Sequence, residues 1–263
     1  MSLHSTSNRA ALDGAAHPHA IRTGVFAMRF CSALSTAALV VAIAATPLGA
    51  SAAVTENFDG VTPPALPSGW TASVATGAAS DIPFHTRASA YASTPPNAVW
   101  VDDVNDYADL RLTSPAYTAG SAGTFSFKQS YTLWAPDAGP LANGVYNGAV
   151  LEVSIGGGAF ADVASAGGTI AYSAALDPSF DNPLAPSAPL NRSVWGGSSG
   201  GFVTASGTLP AAAANASVQF RWRLGTSGGG RSFDTVSGWW IDDFQCDCTA
   251  TTVDEIFKNG FDS

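Results

Sequence analysis

Histidine, cysteine and charge are all scarce in this chain of 263 residues, which has four histidines, three cysteines and 12% charged residues. The shortage deepens past residue 52, where only His85, Cys246 and Cys248 remain. A zinc centre of three or four His/Cys ligands would need every one of them, at spacings unlike the usual patterns, so no zinc is expected. Nor is a nucleotide cofactor. A Ser-His-Asp or Cys-His device would have to use His85, which sits in "SDIPFHTRAS" and reads as a surface or half-buried histidine. So little charge excludes a coiled coil, and glycine falls in no three-residue period of the collagen kind. Basic residues are the rarer sign. Three of the eleven basic residues and one of the twenty acidic ones precede residue 53, leaving eight against nineteen in the remainder. A surface of that sign repels phosphate backbones and anionic lipid, so no nucleic-acid partner is expected.

An export signal is present. From Met28, "MRFCSALSTAALVVAIAATPLGASAA" offers a positive charge at Arg29, an apolar run from Ala33 to Ala45, and Ala50 and Ala52 flanking Ser51 as a cleavage site. The uninterrupted stretch Ala37–Ala45 is far shorter than the ~20 residues a membrane span needs, so no span is expected in the mature chain. Residues 1–27 read as a mis-assigned upstream start, 28–52 as the signal peptide, 53–248 as one domain, and 249–263 as a linker with a short tail. Export places the two remaining cysteines in a disulfide-permissive compartment. In "QCDCTA" they can pair with each other in a strained bridge, stay free, or pair with another molecule.

The domain reads as all-β. Gly, Pro, Ser, Thr, Asn and Asp recur every few residues, and apolar residues alternate instead of following a 3.6 period. Expected strands are Thr71–Thr76, Asn97–Val101, Gly123–Trp134, Gly148–Ile155, Ala216–Leu224 and Gly238–Cys246. In the third, Phe125, Phe127, Gln129, Tyr131 and Leu133 share a face, with Lys128 and Ser130 opposite. In the fifth, Val218, Phe220, Trp222 and Leu224 alternate with Gln219, Arg221 and Arg223, which predicts one core face and one wet face. "LPAAAANA" at Leu209–Ala216 is long enough for a single turn ahead of its strand. Two stretches, Trp134–Gly148 and Leu176–Gly201, are longer than ordinary connections, and loops of that length either bind something or move.

Five phrases in order, "ENFDGVTPPALPSGWTAS", "GAVLEVSIGGGAFADVA", "RSVWGGSSGGF", "VQFRWRLGTSGGG" and "SGWWIDDF", resemble the MAM-like jelly-roll modules of secreted bacterial proteins. These include the choice-of-anchor J group and the accessory domains of immune inhibitor A-like and fungalysin-like peptidases. The resemblance spans roughly Glu56–Cys246. It implies a two-sheet antiparallel jelly-roll sandwich with its first and last strands adjacent, and a role in binding or attachment. The peptidase partners carry an HExxH zinc motif, which is missing from this chain. The ending "DEIFKNGFDS" resembles a short tail on many exported bacterial proteins.

A hard-cation site is expected where the chain ends meet, with Glu56, Asn57 and Asp59 from "ENFDG" and Asp242 and Asp243 from "WWIDDF". Calcium takes six to eight oxygens, and crowded carboxylates need a cation or an arginine among them. Alternation puts Trp240, Asp242 and Phe244 on one face and Trp239, Ile241 and Asp243 on the other, so both acids cannot point inward. The competing readings are pairing with Arg221, Arg223 or Arg231, or solvation. A second cluster, Asp102, Asp103, Asn105, Asp106 and Asp109, lacks the glycine and glutamate of an EF-hand and reads as a solvated loop. Most of the seven tryptophans belong to core-patterned strands, whereas Trp134 and Trp195, in the long loops, are expected to be exposed and able to stack on sugars.

The resulting expectation is a secreted, non-catalytic β-sandwich that binds an extracellular glycan or protein surface and carries a structural calcium. Alternatives are a polysaccharide hydrolase working through two carboxylates, and a structural envelope-associated protein.

Overall fold

The computed structural model describes residues 53–78, 80–136, 144–185, 191–228 and 237–251. The expected signal peptide, Arg231 and the C-terminal tail lie outside them. In chain order the strands are β1 (Val54–Glu56), β2 (Thr71–Thr76), β3 (His85–Ala88), β4 (Asn97–Val101), β5 (Tyr107–Thr113), β6 (Tyr117–Ala119), β7 (Thr124–Thr132) and β8 (Gly148–Ile155). Then come β9 (Ala161–Asp162), β10 (Thr169–Ile170), β11 (Ala174–Ala175), β12 (Ser193–Val194), β13 (Val203–Thr208), β14 (Ser217–Ser227), β15 (Gly238–Cys246) and β16 (Cys248–Ala250). One 3-10 turn, Ala211–Ala213, precedes β14, where a single turn was expected.

The strands form two seven-stranded antiparallel sheets among the described residues. Sheet one runs β10-β13-β7-β15-β4-β3, with β1 also on β15. Sheet two runs β16-β6-β14-β5-β2, with β8 on β14 and β9 outside β8. Strands β11 and β12 form a separate small ladder. The all-β sandwich expected from the sequence is therefore the fold. Its first strand lies beside β15, with Val54 opposite Cys246 and Glu56 opposite Phe244.

Alternation explains the core. Val218, Phe220, Trp222 and Leu224 of β14 face Phe125, Phe127 and Tyr131 of β7 and Trp239 and Ile241 of β15, and all are buried. Each such side chain contributes about 1.5–3 kcal/mol, and a one-residue slip of β14 would replace four of them with polar groups. Trp222 sits centrally, its ring 5.2–6.2 Å from those of Trp70, Phe127, Phe220 and Phe244.

Two expectations about faces are corrected. The register of β15 against β7 shifts between Asp242 and Gln245, and Asp243 adopts φ 48° there. This bulge inserts an extra residue, so Phe244 joins Trp239 and Ile241 in the core, while Trp240 and Asp242 lie on the outer face. The second correction concerns the face of β14 expected to be wet. Arg221 and Arg223 are only 15% exposed, because Arg221 lies against the Phe160 ring, 4.0 Å from its centroid, and Arg223 donates to Pro183 O in the 176–184 segment that folds over that side. Leu176, Leu184 and Val194 pack with Val145 and Val150 into a second apolar cluster beneath this cover.

Of the cysteine fates left open, the structure has the intrachain bond Cys246–Cys248, with Cα atoms 5.2 Å apart. It sits where the chain passes from β15 in sheet one to β16 in sheet two. Between the cysteines, Asp247 donates its backbone N–H to Thr124 O and accepts from Ala122 and Gly123 at its carboxylate.

Candidate functional site

Strand registers define two poles. At one, Val54, Phe125 and Cys246 lie abreast. At the other, Gly238 opens β15 opposite Thr132, the next pair is Trp239 with Val101, and Gly148 opens β8 opposite Gly225. Strands β4, β7 and β14 therefore all end at the pole away from Val54 and Cys246. Gly238 is required at that turn: its φ is 86° and a Cβ there would collide with the Val101 carbonyl.

Trp134 stands at this distal pole, half-buried. Its N–H donates to Asp103 Oδ2 at 2.8 Å, and its carbonyl accepts from the N–H groups of Tyr146 and Asn147. Its ring centroid lies 4.4 Å from Tyr146 and 6.0 Å from Phe180, and those two rings are 4.3 Å apart. Phe180 is 40% exposed. Asn182 fixes the segment bearing Phe180 by donating to Tyr146 O and Gly225 O, at 3.0 and 2.9 Å. Sequence reasoning missed Tyr146 and Phe180, although they occupy the two long loops that singled out Trp134 and Trp195.

Trp195, expected beside Trp134 as an exposed ring, is instead core. It is 3% exposed, packs on Phe127, Tyr172 and Trp239, and donates its indole N–H to Ala171 O. The backbone pairing Ala149↔Trp195 draws it inward against the start of β8. The second acidic cluster is also not a solvated loop throughout. Asp103 is fully buried and accepts from Asn147 Nδ2 at 2.8 Å, and Asp109 belongs to β5.

At the junction of the chain ends, the expected cation ligands spend oxygens on the backbone. Glu56 Oε1 accepts from Phe58 N–H at 2.8 Å, holding a turn in which Phe58 takes φ 61° with its ring buried. Asn57 and Asp59 hydrogen-bond each other, and Asp59 Oδ1 accepts from Asn97 N–H at 2.9 Å, tying the turn to β4. Asp242 is fully buried and accepts from Thr94 N–H and Asp243 N–H, while Asp243 accepts from the Thr94 hydroxyl at 2.7 Å. Burial, together with the charges of Asp243 and Asp59, pushes the Asp242 carboxyl up to about 6 despite its two backbone donors. Asp242 and Asp243 thus share Thr94, and Asp59 lies near enough for its charge to act on Asp242, whereas Glu56 and Asn57 serve the turn. No arginine is ion-paired with them among the described residues: Arg221 and Arg223, two of the partners expected in the competing reading, are committed to sheet two, and the third, Arg231, lies outside the described residues. Among the described residues, no three His, Cys, Asp or Glu side chains are grouped to hold a metal as placed.

The covered face of sheet two holds the other charge cluster. Arg223 donates to both oxygens of Asp109 at 2.8 Å and to Glu152 at 3.1 Å. Arg221 Nε donates to Glu152 at 2.7 Å, and Arg111 also binds Asp109. Burial alone would raise the Asp109 pKa, but the hydrogen bonds and charges of Arg223 and Arg111 outweigh it and hold the carboxyl below its usual range. Asp109, so paired, stays ionised, whereas Asp242, raised toward neutrality, is sealed from solvent. The strings Gly196–Gly200 and Gly197–Gly201 have the GxSxG spelling of a nucleophile elbow, yet no helix follows them, and β15 and β4 separate that loop from His85 on β3.

No family model and no curated protein matches the chain. Among solved structures, it is similar to the K1 cleaved adhesin domain of Lys-gingipain from Porphyromonas gingivalis W83, at 14% identity and a TM-score of 0.39, covering 76% of this chain and 99% of that one. It is also similar to TmCBM61, solved in complex with β-1,4-galactotriose, at 13% identity and a TM-score of 0.35, covering 73% of this chain and 97% of that one. Among the described residues, no helix is long and apolar enough to cross a membrane.

Proposed function

We propose that this protein is a secreted, non-catalytic binding module that takes up an extracellular glycan at its distal pole, on the rings of Trp134, Tyr146 and Phe180. One observation carries the reading: three aromatic side chains from the two long loops meet, anchored by buried Asp103 and Asn182, with Phe180 left 40% exposed. Rings held in this way present apolar faces on which the C–H face of a pyranose stacks at little cost in side-chain ordering. Membership of the MAM-like, choice-of-anchor J type of module is part of the same proposal, resting on the five ordered phrases.

A glycan array probed with the wild type, Trp134→Ala and Phe180→Ala tests the binding. The expected result is a defined set of bound glycans, with affinity reduced about tenfold in each variant, corresponding to about 1.4 kcal/mol. A wild type that binds no glycan, or variants that bind as it does, would remove the proposal.

We further infer a structural calcium at Asp59, Asp242 and Asp243. The charges of Asp59 and Asp243 act on Asp242, and no basic side chain is ion-paired to any of the three among the described residues. Carboxylate oxygens are the donors calcium prefers, and binding to the native state alone raises the melting temperature. Melting curves that coincide in calcium and in chelator would count against it.

A further inference from the structure

We propose that a second site, a flank cleft bounded by Asp162, Tyr172 and Arg192, binds one neutral hexose unit, independently of the distal aromatic rings. The cleft lies where the segment linking β9, at the margin of sheet two, to β10, at the margin of sheet one, passes beside the start of β12. Its volume is about 350 Å³, and Ser165, Ile170 and Ser193 complete its lining. That is the lower end of the range occupied by small-molecule pockets.

The cleft's guanidinium is only partly used. Arg192 Nη1 donates to Leu184 O, but Nη2 lies 3.6 Å from both Glu152 Oε1 and Asp162 Oδ2, too far for a hydrogen bond to either. Among the described residues, Nη2 has no hydrogen-bond acceptor. Asp162 is pinned beside it, taking N–H groups of Ala164 and Ser165 on Oδ1 and the Tyr172 hydroxyl, at 2.8 Å, on Oδ2. A fixed carboxylate next to a guanidinium with unused donors suits a pair of vicinal hydroxyls: one oxygen accepts from Nη2 while the neighbouring hydroxyl donates to Asp162.

Arg192 Nη2 already faces two carboxylates, Glu152 and Asp162, at 3.6 Å each, so a neutral pair of hydroxyls can use its free donors without bringing a further charge into the cleft. The half-buried Ile170 and the Tyr172 ring offer an apolar wall for the sugar's C–H face, and the exposed Ser165 and Ser193 hydroxyls line the rim.

The test is a titration of the full chain with the methyl glycosides of galactose, glucose and mannose, following the Arg192 Nε–Hε resonance by NMR. We expect a saturable shift with at least one of them in the millimolar range. Ser165→Trp, an exposed position, should weaken it at least about tenfold with the melting temperature unchanged. Trp134→Ala should leave it as in the wild type, which separates this site from the distal one. If Ser165→Trp does not fold, Ser193→Tyr serves in its place. Absence of a saturable shift with all three sugars, a shift that the blocking variant leaves intact, or tighter binding of methyl glucuronide than of the neutral sugars would each overturn the proposal.

Discussion

Asp242 is the residue whose chemistry most directly reaches a measurable property. Its folded pKa of about 6 lies above the ordinary 3.8, so between those values the folded state holds a proton that the unfolded chain has released. Stability from this group is fully present below pH 3.8 and falls as pH rises to about 6, by roughly 2–3 kcal/mol, then levels off. Asp109 has the opposite sign, its depressed pKa adding stability that is lost only below the usual carboxylate range, so the two do not overlap. Denaturant midpoints measured across this window should decline in the wild type and stay level in Asp242→Asn. Saturating calcium should also level the wild-type profile, because a bound cation displaces the proton. A decline that persists in Asp242→Asn would assign the titration to another group.

At the scale of elements, the covered face of sheet two makes the sharpest stability prediction. Glu152 is shared by Arg221, Arg223 and, more loosely, Arg192, covered by the Phe160 ring and the 176–184 segment. Glu152→Gln removes the carboxylate and leaves buried guanidinium charge uncompensated, with an expected loss of about 3–5 kcal/mol in denaturant unfolding. Lys128→Ala, which breaks a bond to the Thr204 hydroxyl near the surface, should cost under about 0.5 kcal/mol. Equal losses would mean that the network contributes little. This face also shows where sequence reasoning stops. Strict alternation in β14 separates Trp222 from Arg221 and Arg223, and the strands at 71–76, 97–101, 148–155 and 238–246 follow from local pattern alone. What lies over the second face of a strand is decided by a segment distant in the chain, so the arginines read as wet. Asp109 read as loop for a related reason: its partner Arg223 comes from β14. The bulge at Asp243 was hidden as well, because one residue in a left-handed conformation reverses the alternation after it without altering composition. For the candidate site, Trp134 was legible as a loop aromatic, but its convergence with Tyr146 and Phe180 depends on Asn182 bridging to Tyr146 and Gly225.

For the whole molecule, the Cys246–Cys248 bond ties the two sheets covalently, yet it closes so short a loop that it restricts the unfolded chain little. The loop-closure relation gives about 1–2 kcal/mol, so a Cys246→Ala/Cys248→Ala double variant should remain folded by circular dichroism and unfold at slightly lower denaturant. Loss of the folded state altogether would show that the bond does more than close its loop. The pairing of Val54 with Cys246 places the entry of the chain into the sandwich beside the turn that leads to its exit, with the Trp134 loops at the far end of the strands. A partner joined immediately ahead of Val54 therefore lies at the pole opposite Trp134, and the rings of Trp134, Tyr146 and Phe180 stay clear of it.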